Sequence, residues 1–272
     1  MNLTPEQVEQ YRQDGFLFLP SLFSAQELEV LKSEVRAEFA EESDRKVQEK
    51  GSATVRSVYG SHLKNDVFKR LSRLPRLVGP ARQLLDGDDV YIYQFKINAK
   101  VAFEGDLWQW HQDYIFWLKE DGLPQPRAIN VVVYFDEVNE FNGPLLFIPG
   151  SQEEGVIDPS ATSGRPAGYE DKPDWVSDLT ADLKFTIHRS TLERLVKKHQ
   201  IVAPKGAAGS VLLFHPNVVH GSTQNMSPFD RTLSILTYSS VGNVPQNVVR
   251  PDFLVSRDYS AVVPLTQDAL VG

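Results

Sequence analysis

From Val90 onward the chain is a succession of short β-prone stretches, and this constrains its fold more than any other feature. Val90 to Lys100, Arg127 to Val138, Pro144 to Pro149, Ser210 to Phe214, Val218 to His220 and Arg231 to Val241 are rich in β-branched and aromatic residues. Turn signals such as Asp121-Gly122, Asn142-Gly143, Pro149-Gly150 and Pro228 separate them, as expected of strands joined by turns. The part before Val90 reads differently. Thr4-Pro5-Glu6-Gln7 combines a Thr N-cap, Pro at the first helical position and Gln at the capping-box position, so a helix should start there and stop near Asp14-Gly15. Phe16 to Leu19 reads as a short strand or extended core segment. Ser24-Ala25-Gln26-Glu27 repeats the box, and Leu28, Val30, Leu31, Val35 and Phe39 continue it as an amphipathic helix. A third helical region is expected between Asp66 and Leu85, interrupted around Pro75 and Pro80. Helices followed by many strands predict an α+β chain, mainly β, built on a β-sandwich or jelly roll with flanking helices.

All-β architectures of this length are often one domain, so residues 1–272 are expected to form a single unit. Within it, 152–203 is rich in Gly, Pro, Asp and Glu, with one helical patch around Leu192 to Lys198. A long excursion of this kind is expected to be a lid or pocket wall, or else a neutral surface loop. The net charge of -8 argues against nucleic acid or an anionic membrane as partner, which leaves a small-molecule substrate as the expected partner. There are no cysteines, so disulfides, thiolate zinc sites and a cysteine nucleophile are excluded. The N-terminal stretch lacks the pattern of a signal peptide, and no apolar run approaches the ~18 residues that span a bilayer. A cytoplasmic location is the expectation.

The chemistry is concentrated in Leu107-Trp108-Gln109-Trp110-His111-Gln112-Asp113-Tyr114-Ile115-Phe116-Trp117. If this block is a strand, His111 and Asp113 project to the same face. An imidazole and a carboxylate side by side are two-thirds of the facial triad that holds non-haem Fe(II) with positions left open. A cupin-like metal-binding protein without catalysis would share that much. Of the remaining histidines, His220 is the better third ligand, since it follows an apolar strand and heads Gly221-Ser222; His215, directly before Pro216, is the reserve. Arg231 lies eleven residues beyond His220, and a hairpin between them would return its guanidinium to the metal. A fork of this kind grips a distal carboxylate, so a dicarboxylic keto acid could chelate iron at one end and pair with Arg231 at the other. On Val90 to Lys100, Gln94, Lys96, Asn98 and Lys100 share one face and Tyr91, Tyr93, Phe95 and Ile97 the other. The polar face is expected to meet either solvent or the mouth of a cavity.

Taken together these motifs resemble the phytanoyl-CoA dioxygenase superfamily of Fe(II)/2-oxoglutarate oxygenases, and more narrowly its ectoine hydroxylases and free-leucine 5-hydroxylases. The resemblance runs from Leu3 to about Val241. It rests on the Leu-Thr-Pro-Glu-Gln-Val helix with Asp14-Gly15-Phe16, on Thr54-Val55-Arg56, and on Val90 to Asn98. It continues through Trp110-His111-Gln112-Asp113 with Trp117, Asp121-Gly122-Leu123-Pro124, Phe141-Asn142-Gly143-Pro144 and Pro149-Gly150-Ser151 to Leu213-Phe214-His215-Pro216, His220-Gly221-Ser222 and Arg231. It implies a double-stranded β-helix, with His111, Asp113 and His220 as iron ligands. It also implies Lys100, Arg231 and Ser222 as contacts to 2-oxoglutarate, Gln94 as a substrate contact, O2 as oxidant, and activity supported by ascorbate. Phe116 and Trp117 would wall the aliphatic part of a substrate, and Arg56 is the candidate to hold a substrate carboxylate. Gln152 departs from the His that many relatives carry after Pro-Gly-Ser, and Tyr114-Ile115-Phe116 replaces more polar residues found in ectoine hydroxylases. An apolar wall there suits an aliphatic side chain better than a zwitterionic ring. The expected reaction is therefore hydroxylation of a free aliphatic L-amino acid, leucine at C5, with release of succinate and CO2. Another amino acid, ectoine or a natural-product intermediate is the alternative. The presence of Asp113 disfavours chlorination, which in this fold uses a site lacking the carboxylate.

Overall fold

The computed structural model describes residues 1–161, 168–169 and 171–271. The first helix, α1 (Pro5–Asp14), is closed at one end by the Thr4–Gln7 capping box and at the other by Gly15 in the left-handed region, φ 78°. Strand β1 (Phe16–Leu19) leads to α2 (Ala25–Ala40), whose Ser24–Glu27 box forms as the spacing predicts. Next come β2 (Lys46–Gln48), β3 (Val55–Tyr59), α3 (Ser61–Lys64), α4 (Asp66–Leu71) and α5 (Pro75–Leu84). The helical region does break before Pro75. Pro80, by contrast, stays inside α5, because Leu77, Val78 and Ala81 on the same helix are fully buried and hold it against the sheet. The rest comprises β4 (Val90–Lys100), β5 (Trp108–His111), α6 (Asp113–Asp121), β6 (Ala128–Tyr134), β7 (Leu145–Phe147), β8 (Ser160–Ala161), β9 (Phe185–Thr186), α7 (Arg189–His199), β10 (Val211–Phe214), β11 (His220–Ser222) and β12 (Arg231–Ser240). Of the 152–203 excursion, 162–167 and 170 lie outside the described residues.

Seven strands form the major sheet in the order β1-β10-β6-β12-β4-β3-β2, and three form a minor sheet in the order β5-β11-β7. Neighbouring strands in both sheets run antiparallel. Strands β6 and β10 read as nearly continuous apolar runs because both faces of the major sheet are covered. One parity, with Phe95, Ile97, Val131, Val133, Val211, Leu213 and Leu236, packs under the helices in one core cluster. The opposite parity, with Val132, Tyr134, Leu212, Phe214, Leu233 and Ile235, turns inward and packs with Phe147 of the minor sheet. The polar residues Gln94, Lys96, Asn98 and Lys100 on β4 and Arg231 and Thr237 on β12 share this inward parity, as does Asn130 on β6.

Two sequence expectations are corrected. The block Trp108 to Trp117 is not one strand: β5 ends at His111, Gln112 is extended (φ -112°, ψ 138°), and Asp113 opens α6. A carboxylate in the first turn suits the helix N-terminus, and the buried face of α6 takes Tyr114, Ile115, Phe116 and Trp117 inside. His220 and Arg231 are also not two arms of one hairpin. β11 pairs with β5 and β7, whereas β12 pairs with β4 and β6, so the connection crosses from the minor to the major sheet.

Candidate active site

Between the two sheets lies a cavity lined by Gln94, Lys96 and Asn98 of β4, Trp108 and His111 of β5, and Asp113, Phe116 and Trp117 of α6. His220, Gly221 and Ser222 of β11, Arg231, Leu233 and Ile235 of β12, Leu145 of β7, and Leu179, Leu183 and Arg250 complete it. His111 and His220 are cross-strand partners on β5 and β11, with ring centroids 4.2 Å apart. The close approach needs Gly221, since a Cβ there would sit 2.9 Å from the Trp108 carbonyl oxygen. Asp113 reaches the pair from the start of α6, with Oδ1 3.6 Å from His111 Nε2 and Oδ2 3.8 Å from His220 Nε2.

Ligand atoms of His111, Asp113 and His220 all lie within 4.8 Å of one another, and the three residues are buried. Each histidine turns Nδ1 to a main-chain carbonyl, His111 to Gln109 at 2.6 Å and His220 to Val218 at 3.0 Å. Carbonyls accept only, so Nδ1 carries the proton and Nε2 keeps its lone pair for a metal. Burial and the neighbouring His111 lower His220 to about 3, which keeps it neutral. Burial alone would raise the Asp113 carboxyl, but Lys96, His220 and His111 outweigh it and hold the group well below the usual carboxylate range. Two imidazoles and one carboxylate with an open side are the donor set of a mononuclear iron site.

On residues that line the cavity, three buried polar atoms lack a partner among the described residues: Asn98 Oδ1, Ser222 Oγ and Arg231 Nε. Orphaned polar atoms on the wall of a cavity are costly unless something fills the place. Arg231 is 2% exposed, and its Nη2 donates to Gly143 O at 2.8 Å. Gly143 takes φ 77°, and a Cβ on it would fall 2.5 Å from Lys100 Cδ, so the turn that offers this carbonyl requires glycine. Burial lowers Arg231 to about 10, and it stays a cation. An orphaned guanidinium N–H and a hydroxyl, both able to donate, beside an iron-type triad fit the carboxylate of 2-oxoglutarate.

The remaining residues singled out in the sequence fall at different distances from this centre. Phe116 meets His111 edge-on, ring centroids 6.1 Å apart, and packs on Phe185 at 5.2 Å; Trp117 packs on Tyr93 at 5.0 Å. Gln94 lines the cavity, and its Nε2 donates to Leu254 O at 2.8 Å. Lys100 pairs in register with Arg231, but its ammonium donates to the carbonyls of Asp106 (2.5 Å) and Thr223 (2.6 Å), and it is not among the lining residues. Burial and the adjacent Arg231 lower it well below the usual lysine value. Arg56 is committed elsewhere: it pairs with Glu49 at 3.0 Å, donates to the carbonyls of Leu107 (2.7 Å) and Leu179 (3.2 Å), and lies over the Trp108 ring at 3.8 Å. These contacts occupy its guanidinium, so it ties the excursion to β3 and β5 rather than facing the cavity. His215 stands apart from the triad, its Nδ1 accepting from Asn217 N at 3.0 Å.

Of the polar face of β4 expected to meet solvent or a cavity, Gln94, Lys96 and Asn98 line the cavity. Two other residues near the site escaped the sequence reading. Asn130 is the one amide in Ala128–Tyr134, a visible anomaly. Arg250 lines the cavity and is held by the fully buried Asp121, with Nε to Oδ1 at 2.8 Å, and Asp121 also accepts from the Tyr93 hydroxyl. It comes from an irregular segment with no signal of its own.

The fold and site define a class: a two-sheet β barrel carrying a two-histidine, one-carboxylate centre beside an arginine-based anion cradle. The phytanoyl-CoA dioxygenase (PhyH) family model matches residues 11–233, and the chain belongs to that family. L-proline trans-4-hydroxylase of Streptomyces griseoviridis is 41% identical over 260 residues, spanning 96% of this chain and 95% of that one. Ectoine dioxygenase of Bordetella bronchiseptica is 34% identical over 279 residues, 99% of this chain and 88% of the other. The crystal structure of EctD from S. alaskensis with 2-oxoglutarate and 5-hydroxyectoine superposes with a TM-score of 0.81 at 32% identity, covering 97% of this chain and 88% of that one; the same protein has been solved with bound Fe. The chain is accordingly a 2-oxoglutarate-dependent dioxygenase on a cupin-like double-stranded β-helix, whose triad fits iron and whose cradle fits the cosubstrate. Among the described residues no helix is long and apolar enough to cross a membrane.

Proposed function

We propose that the protein hydroxylates an unactivated C–H bond of a free aliphatic L-amino acid, leucine at C5, and converts 2-oxoglutarate to succinate and CO2. The observation that carries this reading is the two-sided lining of the cavity. Phe116, Trp117, Leu179 and Leu183 form an apolar wall beside the triad, and Gln94, Lys96 and Arg250 supply polar groups. Iron with 2-oxoglutarate and O2 supplies the oxidising chemistry when bound; the chain supplies position, charge and exclusion of water.

His111, Asp113 and His220 would hold the metal, while Arg231 and Ser222 would donate to the far carboxylate of the cosubstrate. Lys100 would act indirectly, by tying the Asp106 and Thr223 main-chain carbonyls of the flanking loops. For the substrate, Gln94 Nε2 is already donated to Leu254 O, which leaves Oε1 to accept from an ammonium. Lys96 would meet the α-carboxylate. Arg250 carries its own counter-ion in Asp121 and so adds no net charge. Leu179 and Leu183 come from the 152–203 excursion, which supports the reading of that segment as a lid over the aliphatic end.

L-proline hydroxylation at C4 is the second reading, favoured by the end-to-end match to the S. griseoviridis enzyme. A panel of L-leucine, L-isoleucine, L-proline and ectoine with Fe(II), 2-oxoglutarate and ascorbate, scored by succinate and product mass, separates them. Leucine-dependent succinate with a leucine product heavier by one oxygen supports the first. Turnover with proline alone supports the second, and turnover with ectoine alone would overturn both.

A further inference from the structure

We propose that Asn130, held by Thr237, fixes the Asp113 carboxylate so that it offers the metal one oxygen only, which keeps a coordination position open. The proposal rests on the iron reading of the triad. Strand β6 is buried along its whole length and otherwise carries Ala, Ile, Val and Tyr, so an apolar residue would pack at position 130 at least as well. Asn130 is fully buried, and both ends of its amide are engaged. Nδ2 donates to Asp113 Oδ2 at 2.8 Å, and Oδ1 accepts from Thr237 Oγ1 at 2.7 Å. Thr237 is also fully buried and stands directly across from Asn130 in the β6–β12 register.

The direction of the chain of bonds matters. An ionised carboxylate only accepts, so the Asn130 amide must turn its N–H toward Asp113 and its oxygen away. The flipped amide would set its oxygen against a carboxylate oxygen, and the Thr237 hydroxyl donates to the amide oxygen in the allowed orientation and holds the side chain in place. This fixes the plane of the carboxylate and engages Oδ2, leaving Oδ1, on the His111 side, as the free donor. If both oxygens bound the metal, two histidines and the carboxylate would take four places of an octahedral ion. A chelating keto acid would take the other two, leaving none for O2. With one carboxylate oxygen, one place remains. Asn130 and Thr237 are thus positioning residues that act through Asp113.

The test uses the full chain under anaerobic conditions, with Asn130→Leu, Thr237→Val and Thr237→Ser. Fe(II) affinity is read by calorimetry, the Fe(II)–2-oxoglutarate charge-transfer band by visible absorption, and folding by metal-free melting. Loss of a partner behind a metal ligand typically lowers affinity about 10- to 100-fold. We expect a loss of that size and a displaced band for Asn130→Leu, a smaller loss in the same direction for Thr237→Val, and native behaviour for Thr237→Ser, which keeps the hydroxyl. Should Asn130→Leu not fold, the Thr237 pair decides alone. Folded Asn130→Leu or Thr237→Val protein with Fe(II) affinity within threefold of native and an unmoved band would overturn the proposal. So would a Thr237→Ser loss equal to that of Thr237→Val. Native protein that bound no Fe(II) would instead bring down the iron site itself.

Discussion

Replacing Arg231 by Gln removes the cavity-lining cation that pairs in register with Lys100 at the start of β12. The residue is 2% exposed, its Nη2 is tied to Gly143 O at 2.8 Å, and its Nε has no partner among the described residues. Removing one member of a buried, hydrogen-bonded charge pair costs about 2–5 kcal/mol. We take the lower half of that range because the cosubstrate would also be anchored at the iron. At about 1.4 kcal/mol per decade, the dissociation constant of 2-oxoglutarate should rise roughly 30- to 300-fold. Lys100 cannot take over, since moving its ammonium would leave the carbonyls of Asp106 and Thr223 that it now serves. The assay is an anaerobic titration of the Fe(II) protein with 2-oxoglutarate, following the charge-transfer band. Arg231→Gln protein that binds Fe(II) normally and 2-oxoglutarate within threefold of native would refute the assignment of the cradle.

Four further outcomes follow from the geometry. His111→Ala should abolish Fe(II) binding by calorimetry, because the two remaining ligands leave an incomplete triad; normal binding would refute the site. Phe116→Ala removes the ring that meets both His111 and Phe185. Leucine kcat/KM should fall about tenfold, the worth of roughly 1–2 kcal/mol of lost apolar contact, and bulkier amino acids should gain; an unchanged side-chain preference would contradict the wall. Lys96→Met should raise KM for the amino acid at least tenfold but not for the amine that lacks the carboxylate, and equal effects on both would refute the α-carboxylate role. Stability should fall in acid through His62 and His215, which burial lowers from 6.5 to about 4. The unfolded chain binds these protons first, so their contribution is complete above pH 6.5 and is lost as pH falls toward 4. At about 1.4 kcal/mol per pH unit of displacement each contributes at most about 3.5 kcal/mol, and less because both rings are half-buried. Urea midpoints for His62→Gln and His215→Gln that fall with pH as steeply as the native protein's would count against this.

What the sequence made legible was periodic. Capping boxes at Thr4 and Ser24 set the helix starts, and the alternation on β4 separated the residues that face the helices from those that line the cavity. The identity of the site residues was also readable, because His111, Asp113 and His220 are few and chemically distinctive. Their backbone setting was harder to read. Tyr114, Ile115, Phe116 and Trp117 are acceptable in a strand, and local propensity could not show that a buried helix starting at Asp113 would claim them. Arg56 illustrates the opposite error, where a cation near a motif reads as a ligand but its charge is consumed by Glu49. Arg250 was invisible because it enters from a segment without period, and only tertiary packing against Asp121 brings it to the cavity.

If this chain couples decarboxylation of 2-oxoglutarate to hydroxylation of a free amino acid, turnover under 18O2 with Fe(II), 2-oxoglutarate and L-leucine should label both products. Mass spectrometry should find one labelled atom in succinate and one in hydroxyleucine, formed in equal amounts. Labelled succinate whose yield is the same with and without every amino acid tried would contradict it.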